Sequence, residues 1–220
     1  VNFPGERGML TADFITGQAI ATGGLGAING SSTLRGGNLF RILNGDAQVG
    51  SVSLTFAGTL YDGTDGPDLI SVRDGTATIT GSFEYSTTGE LALDASNGAM
   101  NAGSIVLTAG TFVPDNFNPP PTITGAYSAN SFDISTGGDF VTNANLISTS
   151  TLANDAPGLI DMADATTDGD LLLTAGSTID GGTQTAAGFV DVNAPGDITL
   201  GNVVAGDSID IISTGGNLSL

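Results

Sequence analysis

Cysteine and histidine are both missing from the 220-residue chain. With them go disulfides, thiol nucleophiles, histidine-based triads and soft-metal sites. An oxidising compartment is neither required nor contradicted. Lysine and tryptophan are missing too, and the only cations are Arg7, Arg35, Arg41 and Arg73, against 23 acids, for a net charge of −19. Phosphate recognition needs clustered cations, so no nucleic-acid partner is expected, and anionic membrane surfaces are disfavoured on the same ground. No run approaches the roughly 18 apolar residues of a membrane-spanning helix, so no direct membrane insertion is expected. The start of the chain has no basic stretch followed by an apolar one. Val1 is expected to follow a removed signal peptide or to be the cut end of a longer polypeptide.

Strong helix formers are scarce as well: Glu occurs only as Glu6, Glu84 and Glu90, while Gly occurs 34 times. Thr, Ser, Val and Ile supply the bulk, which predicts an all-β fold. With 3 Tyr and 10 Phe, the core must be built from Ile, Leu, Val, Ala and Phe, and is expected to be thin and layered.

The clearest pattern lies in Gly196 to Leu220, GDITLGNVVAGDSIDIISTGGNLSL. Ile198 and Leu200 recur as Leu218 and Leu220, and Ile209 and Ile211 repeat the apolar-polar-apolar triplet between them. Short strands with two inward side chains, turning at a glycine beside a small acid or amide, read as coils of a β-solenoid. Each strand would bond to the strand one coil above and below, which places Ile198 beneath Leu218. Corner glycines are expected to supply positive φ, with Asp or Asn bonding the local backbone. About 20 residues per coil allow at most about ten coils, roughly 50 Å of stack.

Gly138-Asp139, Gly169-Asp170, Gly196-Asp197 and Gly206-Asp207 each open an apolar strand, at irregular spacing. Leu91 to Phe112 shares the rhythm, whereas Pro114 to Pro121 (PDNFNPPP) forbids a central strand and reads as a linker or as a loop between coils. Leu60 to Tyr85 breaks the rhythm and is expected to form a loop and a hairpin that projects from the stack or caps it. The chain is therefore divided into an irregular β-rich region, residues 1–125, with a possible hairpin or small sandwich-like insertion, and regular coils over 126–220. Because Leu220 is an apolar strand residue with no polar cap after it, coils are expected to continue in a longer polypeptide.

The stretches GDITLGNVVAGDSIDIISTGGNLSL, GSIVLTAG and GDLLLTAGSTIDGG resemble the repeats of large bacterial exoproteins, the filamentous-haemagglutinin-like two-partner-secretion proteins and autotransporter passenger domains. The likeness is good over Asn130 to Leu220, weaker over Leu91 to Phe112 and slight before Leu60, and it rests on a degenerate pattern. It implies a right-handed parallel β-helix displayed on or released from a Gram-negative outer membrane, often as an adhesin. The Asn-Pro-rich secretion signature of two-partner exoproteins is not found in Val1 to Gly50, which leaves the secretion route open.

For chemistry, polysaccharide-cleaving β-helices use a Lys or Arg base beside Ca²⁺-binding acids, or converging carboxylates. Here lysine is absent and every arginine precedes the regular coils, so no catalytic residues are assigned and the chain is not expected to be an enzyme. Asp62, Asp65 and Asp68, three residues apart in the Gly-rich LYDGTDGPDL, are the candidate metal ligands, with Ca²⁺ as the ion; a solvated turn is the alternative. Asp161, Asp164, Asp168 and Asp170 form the second acid group. Thr76, Thr78 and Thr80 resemble one row of an ice-binding face, which would have to recur on successive coils.

The expected function is that of a non-catalytic extracellular structural or adhesive segment, with itself or a host or environmental glycan or protein as partner. A self-assembling matrix or surface-layer protein with Ca²⁺-bridged contacts, or a carbohydrate-active enzyme, are the alternatives.

Overall fold

The structure is a computed structural model that describes the backbone of residues 9–17, 28–29, 39–43, 46–56, 68–73, 75–94, 98–113 and 126–220, and the side chains of 69–72, 75–93, 98–113 and 126–220. Strands account for most of it. The first part holds β1 (Met9–Gly17), β2 (Ile28–Asn29), β3 (Leu39–Leu43), β4 (Asp46–Phe56), β5 (Asp68–Arg73), β6 (Thr76–Thr87), β7 (Glu90–Asp94), β8 (Ala99–Ala109) and β9 (Thr111–Phe112). Then come β10 (Ala126–Thr136), β11 (Phe140–Thr142), β12 (Asn145–Ala156) and β13 (Ile160–Met162). Three-strand coils follow: β14 (Ala165–Thr167), β15 (Leu171–Ala175) and β16 (Ile179–Gly181), then β17 (Gln184–Ala186), β18 (Val190–Ala194) and β19 (Ile198–Leu200). The last coil is β20 (Val203–Ala205), β21 (Ile209–Ser213) and β22 (Leu218–Ser219).

Every pairing among the described residues is parallel except the short β2–β3 contact, and no strand of the large sheet pairs with its neighbour in sequence. The path β1-β4-β6-β8-β10-β12-β14-β17-β20 climbs one coil per step, with β15, β18 and β21 continuing from β12, while β11-β13-β16-β19-β22 forms another face. This is a parallel β-solenoid, as the strand rhythm predicts. Ile198 does sit beneath Leu218.

From β12 onward the repeat length is 19 residues, with Leu152, Leu171, Val190 and Ile209 stacked in one ladder and Ile160, Ile179 and Ile198 in another, whereas register partners from β1 to β10 stand 37, 30, 23 and 27 residues apart. The interval of 20 between Ile198 and Leu218 is a local exception. Ala194 pairs with Ser213 at 19, so the extra residue sits in the corner between β21 and β22, where Thr214-Gly215-Gly216 replaces Pro195-Gly196.

From β4 to β12 the first two faces are one long strand of 11 or 12 residues, bent at register shifts such as the one between Ala129 and Ser131. Beyond β12 the bend sharpens into a corner and the strand splits in two. Residues 76–87, expected in a projecting hairpin, instead lie inside the stack as β6, paired in parallel with β4 and β8. Their longer alternation reflects this unbroken strand. The sheet also passes from β8 to β10 in register on either side of residues 114–125.

Alternation along each strand builds the core. One inward ladder is Phe83, Ile105, Phe132, Leu152, Leu171 and Val190, and another is Phe140, Ile160, Ile179 and Ile198, all buried. Burying one such side chain is worth roughly 1.5–3 kcal/mol. The last inward position of the second face is kept small, Ala109, Thr136, Ala156, Ala175 and Ala194, because the chain turns there. Ring size falls along the stack: Phe and Tyr concentrate below Phe140, with Phe112 and Phe140 in tilted contact at 4.8 Å and the Tyr127 hydroxyl donating to the Ile70 carbonyl at 2.9 Å. In the last coil Ile209 and Leu218 are 49% exposed, although Val190 and Ile198 beneath them are fully buried.

Two buried amides break the pattern, Asn154 and Gln184, and the Gln184 Nε2 donates to the Ala163 carbonyl at 3.2 Å. Asn154 occupies an inward ladder between Ile134 and Leu173, 2% exposed, with neither amide atom hydrogen-bonded. Leaving a buried amide unsatisfied costs about 1–3 kcal/mol. Asn154→Val should therefore raise stability by about 1–2 kcal/mol, read as a thermal midpoint higher by roughly 3–6 °C in a circular-dichroism melt. A lowered midpoint would show that the amide has partners there.

Candidate functional site

Two of the three proposed metal ligands, Asp62 and Asp65, lie outside the described residues. Asp68 opens β5, where its backbone pairs with Leu91, and its side chain is outside the described ones. Among the acids whose side chains are described, Asp139, Asp164, Asp170 and Asp197 have structural work at the corners.

At four corners an aspartate oxygen accepts a backbone N–H from the coil above. Leu159 N–H donates to Asp139 Oδ1 at 3.0 Å, Thr183 N–H to Asp164 Oδ1 at 2.7 Å, Phe189 N–H to Asp170 Oδ1 at 3.1 Å, and Asn217 N–H to Asp197 Oδ1 at 2.7 Å. Each acid immediately precedes the first inward residue of its strand, and each donor stands 19 or 20 residues later. The aspartates therefore tie coils together, where the sequence led us to expect bonds to their own local backbone.

The same geometry explains the glycines. At Gly158, Gly182 and Gly188, which precede three of those donors, an added Cβ would fall on the carboxylate oxygen of Asp139, Asp164 and Asp170 respectively. None of the three has a positive φ. Glycine is thus required for close approach between coils, and the expectation of left-handed corners is corrected. The irregular Gly-Asp spacing also resolves: Asp139 and Asp197 belong to one corner, before β11 and β19, and Asp170 to another, before β15.

A second corner device went unrecognised in the sequence. The buried hydroxyl at a strand end accepts the N–H two residues on: Gly89 to Thr87, Gly138 to Thr136, Ala144 to Thr142, Ser150 to Ser148 and Gly169 to Thr167, at 3.1–3.3 Å. Such turns satisfy a corner amide locally. The pattern Ser/Thr-x-Gly/Ser/Ala after an alternating strand was the available signal.

The four acids of Asp161 to Asp170 do not converge. Asp161 points outward from β13, Asp164 and Asp170 serve two different corners, and the Asp168 N–H donates to the Ser148 carbonyl at 3.0 Å. Among the described residues no three acids gather closely enough to hold a metal. Thr76 and Thr78 face outward on β6, but their partners one coil on, Ala99 and Asn101 respectively, do not extend the threonine row.

Asp161 faces a like charge from the next coil, since its register partner there is Asp180. Partial burial, and next the Asp180 carboxylate aligned with it one coil up, hold its pKa above the usual carboxylate value.

A shallow groove of about 260 Å³ lies on the outer surface of the second face. Asp133 and Ser135 border it below, Leu172 and Thr174 above, and Ala153 and Asp155 occupy the coil between. The dip exists because Ala153 is small and stands in one outward column between Asp133 and Leu172. Sequence reading missed it, since the residues are 19 or 20 apart and only the register joins them.

Comparison with protein-family models, with curated proteins and with solved structures gave no match.

Two outcomes follow from the corners and from Asp161. Gly188→Ala should destabilise by about 2–4 kcal/mol through overpacking against Asp170, and Asp170→Ala by about 1–2 kcal/mol. The double variant should be less destabilised than the sum, by at least about 1 kcal/mol in denaturant titrations; strict additivity would deny the contact.

For Asp161, a native pKa above the unfolded one means that the folded state binds the proton more tightly. Ionisation at this residue therefore weakens the fold as pH rises through that range. Asp161→Asn should be more stable than the parent at neutral pH, and the difference should vanish as pH falls below the ordinary carboxylate range. An advantage that stays constant with pH would contradict this.

Proposed function

We propose that the chain is a non-catalytic, extracellular β-solenoid segment of a bacterial surface or secreted protein, acting as a stiff stalk that carries adhesive surfaces. The observation that carries the reading is the use of Asp139, Asp164, Asp170 and Asp197 as coil-to-coil ties. Acids committed to backbone N–H groups at successive levels build a rod whose length grows by one coil per 19 residues, roughly 4.8 Å each. The likeness of GDLLLTAGSTIDGG and GDITLGN to exoprotein repeats supports the location. Recognition of a glycan or protein partner then falls to outward residues and to loops between coils, where insertions leave the ladder intact. The stretch bearing Asp62, Asp65 and Asp68 is proposed as a Ca²⁺-binding part of such a surface, because a hard cation is suited by closely spaced carboxylates in a Gly-rich sequence.

Antibodies raised against residues 126–220 test the location. Intact, unpermeabilised cells that produce the protein should be labelled, and brief protease treatment of whole cells should remove the signal. Labelling that appears only after permeabilisation would overturn the reading.

A further inference from the structure

We infer that the outer surface of the second face docks an extended, lysine- or arginine-bearing segment of a partner protein, with the groove at Ala153 taking one cationic side chain. The register places Asp133, Ala153, Leu172, Asp191 and Asp210 in one outward column, and Asp155 in the column beside it with Ser135 and Thr174. Asp133 and Asp155 are one coil apart and two residues apart along the strand, roughly 8 Å between backbone positions. Lysines at alternate positions of an extended peptide are spaced by about 6.6–6.8 Å, close enough to meet both carboxylates. Ala153, directly above Asp133, and Leu172, one coil higher, offer an apolar floor for the side-chain stem, while the carboxylates take the charged head.

Charge decides the occupant. No Lys or Arg follows Arg73, so nothing in the coils bearing these acids neutralises them internally. A second copy of the chain is a poor occupant, because each copy has a net charge of −19 and only four cations. A single divalent ion is also a poor fit, since the acids are distributed along a face and no three described acids converge. An extended polycation matches both the spread and the sign, and its encounter would be steered by the same field.

The test uses a fluorescein-labelled, twelve-residue peptide of alternating Lys and Thr, titrated by anisotropy at roughly 0.05 M and 0.15 M salt. The whole chain should bind it, more weakly at the higher salt. Asp133→Asn/Asp155→Asn should weaken binding by about tenfold or more, and Ala153→Leu, which fills the groove without altering charge, by about threefold or more. Asp161→Asn/Asp180→Asn removes the same charge from a different face and should stay within about twofold of the parent. Melting curves show that each variant is folded. Equal losses in the two double variants would mean attraction to a polyanion in general, and an unaffected Ala153→Leu would remove the groove from recognition. Either result, or no binding at the lower salt, overturns the proposal.

Discussion

The approach of one coil to the next at the corners constrains the rest of the molecule. Strand ladders set the layer spacing at roughly 4.8 Å, and backbone bonds such as Gly188 N–H to the Gly169 carbonyl carry it round the corners, but some corner amides meet a side chain in place of a carbonyl. The chain answers with a carboxylate that reaches up to the next coil, as Asp170 does to the Phe189 N–H. That bond is possible only because residue 188 has no Cβ to stand in the carboxylate's place. Glycine and aspartate are therefore one device shared between levels, and the low helix propensity of the composition follows from using it so often.

Around the corners the physics is simpler. Inward Leu, Ile and Val stack on their own kind, the residue before the sharpest turn shrinks to Ala or Thr, and a buried Ser or Thr hydroxyl takes the remaining corner amide. Such a stack leaves its outward columns free to vary, since residues such as Asp133, Ala153 and Leu172 touch solvent and contribute little to the ladder. A face used for binding can be written in these columns without disturbing the rod.

Much of the fold could be read from the sequence because solenoid coils repeat their chemistry. Ile198 over Leu218, the short triplets and the absence of helix were all visible in residue types. The true period was not, since Gly196 to Leu220 holds the one corner with an extra glycine, and Gly-Asp pairs from two different corners were read as one series. The role assigned to glycine was also wrong for a physical reason: close approach across coils involves a residue 18 positions away, as between Asp170 and Gly188, which local turn chemistry does not anticipate. The groove at Ala153 was hidden in the same way. Asn154, polar in an apolar ladder, carries no sequence signal at all, because alternation places it inward while its type suggests outward.

The central claim is that from β10 onward chain distance converts to height at about one coil per 19 residues, in register, along a single stack. Ser128, Ile147, Thr166, Thr185 and Val204 form one outward column, so Ser128 and Val204 lie four coils apart. The chain has no cysteine of its own, so Ser128→Cys/Val204→Cys accepts two spin labels cleanly. Pulsed electron resonance should report a narrow distribution centred at roughly 19 Å. A broad distribution, or a mean above about 30 Å, would contradict the stacked, in-register solenoid.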